Sequence, residues 1–477
     1  MSPDEFREYG HKLIDFIADY RATIAARPVR ATTEPGAVRT QLPSEPPLDA
    51  ESFDAVFADL NNVLMPALTH WQHPRFFGYF PSNAALASVL GDFLSTGLGQ
   101  LGLNWQSSPA LTELEELACD WMRQMVGLSA AWSGVIQDTA STASLLALLC
   151  ARERTSNFSL VRGGLQGEPK PLVVYVSTQS HSSVEKAALL AGFGRDNLRA
   201  VLTDDAFAMR GDALEAFIRE DIAAGKVPCA VVATAGTTAS TALDPVGAIA
   251  EVAARYNLWV HVDAAMAGSA MILPECRWMW DGIERVDSLV LNPHKWLGAV
   301  FDCSLFYVRD TQHLIRVMST SPSYLRTAAD GLAPNYRDWG IALGRRFRAL
   351  KVWCLIRAEG VSGLQSRLRR DIANAQWLAE AISRTPNWRV VAPVPLQTVC
   401  AIHEPPGLSG ELLDLHTRAW AERVNASGVA YVTPAVLAAR WMVRVSIGAI
   451  ATERADVEAV WTAMRAAAEN TTTGANS

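Results

Sequence analysis

The sequence predicts an α/β protein built on a mainly parallel sheet flanked by helices. Short apolar runs alternate with helical ones from Val135 to Val308, as strands and crossover helices of a covered sheet do. One of these runs, Leu258 to Val262, is interrupted only by His261, which marks a central strand. The polar residues Asp263, Asn292 and Lys295 stand just past the ends of such runs, where sheets of this kind place their sites.

The expected strands are Leu172–Val176, Leu198–Leu202, Ala230–Ala233, Leu258–Val262, Ser288–Leu291 and Leu305–Val308. Helical runs lie between them around Ala143–Arg152, Ser183–Ala191, Asp212–Ala223 and Val246–Tyr256. Upstream, Ser2-Pro3-Asp4-Glu5 starts a helix with Ser2 as N-cap and Glu5 closing a capping box. Phe6, Leu13, Phe16, Ile17, Tyr20 and Ile24 then recur at helical spacing, and Arg30 to Pro47 reads as an extended connector. A helix set apart in this way packs either on its own chain or on a second subunit. Ser108-Pro109 opens another helix with Leu111, Leu114, Ala118, Trp121 and Met125 on its inner face. After Gly360 the order changes to helix Leu364–Ile382, strands Trp388–Val391 and Val399–Ile402, helix Leu412–Val424, strands Val429–Val432 and Met442–Ile447, and helix Arg454–Ala468. That is a small α+β domain, with Asn470 to Ser477 a polar tail. The implied division is an N-terminal helical segment over residues 1–84, a large domain over 85–352 and a C-terminal domain over 353–477.

Composition limits the function classes. The 477 residues are 49% hydrophobic and 19% charged, which suits a globular enzyme and not a disordered chain. A net charge of -7 without a basic patch argues against nucleic acid as partner. No apolar run is long enough to span a bilayer, and no signal-peptide core follows the N-terminus, so a membrane role is not expected. Seven cysteines without metal-ligand spacing point to a reducing, cytoplasmic setting and to no metal.

Chemistry concentrates around two groups. The chain has six lysines: Lys12, Lys170, Lys186, Lys226, Lys295 and Lys351. Lys351 has apolar neighbours within a helical run, whereas Lys295, in Asn292-Pro293-His294-Lys295-Trp296, follows a strand end. Desolvation there favours the neutral amine, which attacks an aldehyde to form a Schiff base. Asp263, in His261-Val262-Asp263-Ala264-Ala265, is a carboxylate at the end of an apolar strand and needs a cation; a protonated pyridine nitrogen serves. Lysine for the aldehyde and aspartate for the ring nitrogen are what pyridoxal phosphate asks of a protein. Elsewhere, Asp138-Thr139-Ala140-Ser141 opens a helix with hydroxyls and free N–H groups, an anion-binding arrangement. No GxGxxG follows an early strand, which counts against a nicotinamide enzyme.

These motifs, in this order, resemble the group II pyridoxal-phosphate-dependent amino-acid decarboxylases, and within them the aromatic-L-amino-acid decarboxylases. The resemblance implies the aspartate-aminotransferase-like fold (fold type I), pyridoxal 5'-phosphate as cofactor and a homodimer clasped by the N-terminal segment. It assigns Thr139, Ala140 and Ser141 to the phosphate, and Thr238, Ala265, Asn292 and His294 to the cofactor's surroundings. His181 stacks on the pyridine ring and contacts the substrate carboxylate. Trp71, Tyr79, Phe80, Pro81, Ser82, Leu101 and Leu103 match positions of the substrate pocket. Gly344 matches a position where glycine accompanies bulky or indolic rings. Tyr324 lies in a polar stretch, Thr320 to Arg337, that reads as a mobile lid, and a tyrosine there accompanies decarboxylation, where phenylalanine accompanies aldehyde formation. The expected activity is decarboxylation of tryptophan, dihydroxyphenylalanine, tyrosine or phenylalanine to the amine. The rivals are an aromatic aldehyde synthase or an aminotransferase on the same fold and, in another class, a non-catalytic scaffold.

Overall fold

The computed structural model describes residues 1–320 and 331–472. The chain forms two compact units, one of Met1–Pro81, Asn374–Val391 and Val399–Ser477, the other of Ser82–Ala373 and Ala392–Thr398.

The first unit begins with α1 (Pro3–Thr23), whose capping box forms as expected: the Glu5 amide donates to Ser2 Oγ at 3.2 Å and the Ser2 amide to Glu5 Oε2 at 2.6 Å. The connector is not wholly extended. It contains a one-turn helix, α2 (Ala37–Gln41), started by Gly36 at φ 92°. The apolar side of α1 is only half-buried. It meets α3 (Phe53–Asp59) through Tyr9–Phe53 at 4.9 Å and Phe16–Phe57 at 5.4 Å, so part of its packing is within the chain.

The second unit holds a seven-stranded sheet. Two helices precede it, α4 (Leu86–Leu98) and α5 (Pro109–Val126). The inner face of α5 includes Leu111, Ala118 and Met125, as expected, but Glu115 and Met122 take the places of Leu114 and Trp121, which are half-buried, because a buried arginine pairs with Glu115. The strands are β1 (Ser133–Gln137), β2 (Leu172–Ser177), β3 (Leu198–Val201), β4 (Val227–Thr234), β5 (Trp259–Asp263), β6 (Ser288–Leu291) and β7 (Ser304–Val308). They run in the order β1-β7-β6-β5-β4-β2-β3. Neighbours from β6 through β3 are parallel, and β7 runs against both β1 and β6. β1 was not read as a strand from the sequence, since its Ser133-Gly134 start carries little β propensity. Gly134 is required by space: a Cβ there would lie 2.6 Å from the Tyr307 ring. The crossovers are α6 (Ala140–Thr155), α7 (Ser182–Leu190), α8 (Gly211–Ala223) and α9 (Val246–Arg255), followed by α10 (Thr311–Met318). Leu146, Leu148, Val174, Val184, Val232 and Phe306 are fully buried together in the core between sheet and helices.

α11 (Ala349–Ser383) is broken at Gly360, which takes φ 65°. Beyond it lie β8 (Trp388–Val390), β9 (Thr398–His403), α12 (Gly410–Ala426), β10 (Thr433–Leu437), β11 (Arg440–Ser446) and α13 (Arg454–Thr472). The four strands form a second sheet, β10-β11-β9-β8. The strand expected at Val429–Val432 starts later. The Asn425 side chain satisfies the Val432 amide at 2.8 Å and carbonyl at 3.1 Å, and Tyr431 O accepts the Phe77 amide at 2.8 Å, so that stretch is taken before pairing begins. α13 runs into the stretch read as a tail. Among the described residues no helix is long and apolar enough to cross a membrane.

Candidate active site

The sheet order brings the expected residues to one edge. β1, β6, β5, β4 and β2 all end there, since β7 alone runs the other way. Thr139 follows β1, Asn292 to Lys295 follow β6, Asp263 ends β5, Thr238 follows β4 and His181 follows β2. The ends are stitched together: the Ala235 amide donates to Asp263 O at 2.9 Å, and the Asn292 amide to Ala265 O at 3.0 Å.

Asp263 is 5% exposed. Its Oδ1 accepts the Ala265 amide at 3.0 Å, which leaves Oδ2 for a cation. His181 caps α7, and its Nδ1 faces the Ser183 amide at 3.1 Å and the Ser183 hydroxyl at 2.7 Å. A nitrogen that accepts an N–H carries no proton, so the neutral ring holds its proton on Nε2. His181 as a residue is exposed. Its pKa is nevertheless lowered, by desolvation first; Asp263 opposes that shift and the Lys295 charge adds to it, which places all three groups within one field.

Lys295 sits in a tight turn, Pro293–Leu297, at φ −93° and ψ −109°, outside helical values. The turn is held from several sides. Asn83 donates to Lys295 O at 3.1 Å, Arg367 donates to Trp296 O at 3.0 Å and Leu297 O at 2.6 Å, and Trp296 donates to Asp371 at 2.9 Å. Asn292 Oδ1 accepts from Ser304 at 2.6 Å. The His294 Nδ1 accepts the Cys303 amide at 2.9 Å, and its ring meets Phe301 edge-on at 4.9 Å. Burial, followed by the Lys295 charge, pushes its pKa down to about 4. Asn83, Arg367 and Asp371 do not stand out in the sequence, because each lies 70 or more residues from the group it holds; Phe301, Cys303, Ser304 and Ser183 lie nearer their partners.

The structure qualifies the comparison of lysines. Lys351 is 0% exposed and more buried than the half-buried Lys295. Its amine, however, is tied to Asp92 at 2.9 Å and to Asp302 O at 3.2 Å, an ion pair and not a nucleophile's setting.

At the start of α6 the first intrahelical bond is Ala143 N to Thr139 O at 3.2 Å, so the amides of Ala140, Ser141 and Thr142 precede the ladder. Asp138 turns back onto the Thr139 amide at 2.7 Å, and the Thr139 hydroxyl makes no capping bond. A phosphate suits this end. The donor set therefore fits pyridoxal phosphate: an amine, a buried carboxylate, an exposed histidine and a helix start with free amides stand along one sheet edge.

The residues matched to the substrate pocket fall in two groups. In the first unit, Trp71 stacks on Tyr79 at 5.5 Å and both are partly exposed, at 40% and 49%. Tyr79 takes φ 52°, held by a bond from its amide to Thr433 Oγ1 at 2.7 Å. Phe80 and Pro81 are buried, and the Arg444 guanidinium lies 4.8 Å over the Phe80 ring. In the second unit, Leu101 and Gly344 are neighbours: a Cβ on Gly344 would stand 3.0 Å from Leu101 Cδ1. Leu103 and Ser82 are half-buried. Tyr324 lies outside the described residues.

Comparison with known proteins agrees with this chemistry. Residues 35–402 match the pyridoxal-dependent decarboxylase conserved domain. A tyrosine decarboxylase of Papaver somniferum is 40% identical over 97% of this chain and 94% of its own length. A phenylacetaldehyde synthase of Arabidopsis thaliana is 39% identical over 97% and 95%. The crystal structure of Oryza sativa TDC with PLP and tryptamine superposes with a TM-score of 0.95, at 38% identity and 99% coverage of both chains. On the family match and these near full-length relatives, the chain belongs to the pyridoxal-dependent decarboxylase family.

Proposed function

We propose that the protein decarboxylates an aromatic L-amino acid to the aromatic amine and carbon dioxide, with pyridoxal 5'-phosphate carried on Lys295. The observation that supports this most is the joint placement of Lys295, Asp263 and His181 at one sheet edge, within one electrostatic field. When bound, the cofactor supplies the sink for the electron pair left when carbon dioxide departs. Asp263 keeps a proton on the ring nitrogen. The amides at the start of α6, with Thr139, Ala140 and Ser141, hold the phosphate, and Thr238, Ala265, Asn292 and His294 complete the surroundings. His181 turns Nε2–H toward the substrate carboxylate and holds the breaking bond in place. Ring-contact candidates are Trp71, Tyr79, Phe80 and Pro81 in the first unit, and Ser82, Leu101, Leu103 and Gly344 in the second. Tyr324 delivers the proton to the α-carbon.

Relatives that act on tyrosine, and one solved with tryptamine, favour an aromatic substrate. The phenylacetaldehyde synthase relative keeps an aldehyde synthase as the second reading, which Tyr324 disfavours. The active form is a homodimer. Support comes from α4, where Leu86, Leu90, Phe93, Leu94 and Leu98 are 43–60% exposed along one face, an apolar stripe that a second copy would cover. A cytoplasmic setting is consistent with seven cysteines that form no disulfide. The test is amine formation from tryptophan, dihydroxyphenylalanine, tyrosine and phenylalanine, with Lys295→Ala as control. Lys295→Ala should lose both turnover and the visible absorbance of bound cofactor; a variant that keeps full activity ends the proposal.

A further inference from the structure

The loops that carry Leu101 and Gly344 belong to no helix or sheet, and one buried ion pair fixes them. They are joined by two bonds, Gly102 N to Arg345 O at 2.9 Å and Arg345 N to Gly102 O at 3.0 Å. They lie hard against α5: a Cβ on Gly102 would come within 2.8 Å of Leu111 Cδ2. The space beside Gly344 is therefore set by where this double loop stands.

The Arg345 side chain turns into the protein. Its Nη1 donates to Glu115 Oε2 at 2.9 Å, and its Nη2 to Glu115 Oε1 at 2.6 Å and to Ile136 O at 2.6 Å. Glu115 Oε1 also accepts the Ile136 amide at 2.8 Å. Glu115 is 0% and Arg345 6% exposed. Two charges taken out of water are a weak source of net stability; here they also satisfy the buried Ile136 amide and carbonyl. What the pair provides is a fixed geometry. A two-pronged bond joins α5, the double loop and β1, three residues before Thr139.

We propose that Glu115 and Arg345 are positioning residues for ring recognition: the pair fixes the Leu101–Gly344 contact and thereby sets which aromatic ring is preferred. This rests on the reading that Leu101 and Gly344 face the substrate ring. In Glu115→Gln an amide N–H replaces one accepting oxygen and points at a guanidinium N–H, so one prong opens. Arg345→Lys keeps the charge and loses the fork.

The experiment measures kcat and KM for tryptophan and phenylalanine, per mole of bound cofactor, in wild type, Glu115→Gln, Arg345→Lys, Gly344→Ser and the Glu115→Gln/Gly344→Ser double variant. Melting temperatures are recorded alongside. Expected is at least a tenfold change in the tryptophan-to-phenylalanine ratio of kcat/KM in both pair variants, carried by KM. In the double variant the two effects should be less than multiplicative. A purely structural role would lower the active fraction equally for both rings and leave the ratio in place. If Gly344→Ser shifts the ratio but neither pair variant does, the inference falls and the ring-site reading stands. If Gly344→Ser leaves the ratio unchanged, the ring-site reading falls and takes the inference with it. If neither pair variant folds, the pair serves the fold itself and the inference is withdrawn.

Discussion

Asp263→Asn isolates one charge. The residue ends β5 at 5% exposure, and its Oδ1 accepts the Ala265 amide at 3.0 Å. Asparagine has nearly the same volume and keeps that acceptor, so the strand end should hold its shape. What is lost is the negative charge. An opposite charge within ~4–6 Å moves a partner's pKa by about 1–3 units, or about 1.4–4 kcal/mol. If that charge holds the cofactor nitrogen protonated, kcat should fall by about 10- to 1,000-fold in cofactor-saturated enzyme. A second readout needs no turnover. Asp263 raises the His181 pKa against burial and Lys295, so in the cofactor-free variant that pKa should drop further. Titration of His181 by NMR, beside single-turnover rates, checks both. A variant with kcat within twofold of wild type and an unmoved His181 would refute the assignment.

Three further outcomes are expected. Tyr324→Phe should divert product from amine toward aldehyde, ammonia and peroxide, measured by product ratio and peroxide release; unchanged amine output removes Tyr324 from proton delivery. Charging the apolar stripe of α4 with Leu90→Glu and Leu94→Glu should convert the proposed dimer to monomer by sedimentation velocity, and a variant that stays dimeric excludes that face. Acid should destabilise the fold: burial holds His73, His261, His294 and His416 at about 4, against about 6.5 in the unfolded chain, so their contribution is full above pH ~6.5 and is lost as pH falls toward ~4. Asp244 and Asp371, pushed up to about 7 and about 6 by burial, act in the opposite direction over that window, and four rings outweigh two carboxyls. Tm should therefore fall between pH 7 and pH 4.5; a Tm that holds steady or rises contradicts this balance.

The sequence by itself determined the local elements and pointed to the candidate reacting groups. The capping box of α1, the apolar strands ending at Asp263 and Leu291, and the hydroxyl-rich start of α6 are readable because each depends on residues a few positions apart. Only the tertiary structure decided what holds those groups. Asn83 meets Lys295, Arg367 meets Trp296 and Arg345 meets Glu115 across long stretches of chain, and no local pattern encodes such pairs. Two residues of the α5 inner face differ from expectation for that reason: hydrophobic period favours Leu114 and Trp121 beside Leu111, Ala118 and Met125, but a guanidinium 230 residues away makes Glu115 a core residue. Burial likewise does not single out the candidate lysine, since Lys351 is the more buried and is paired with Asp92, while Lys295 is marked by its turn after β6. A partner's position is a property of the folded chain, and it decides whether a buried charge is inert or poised to react.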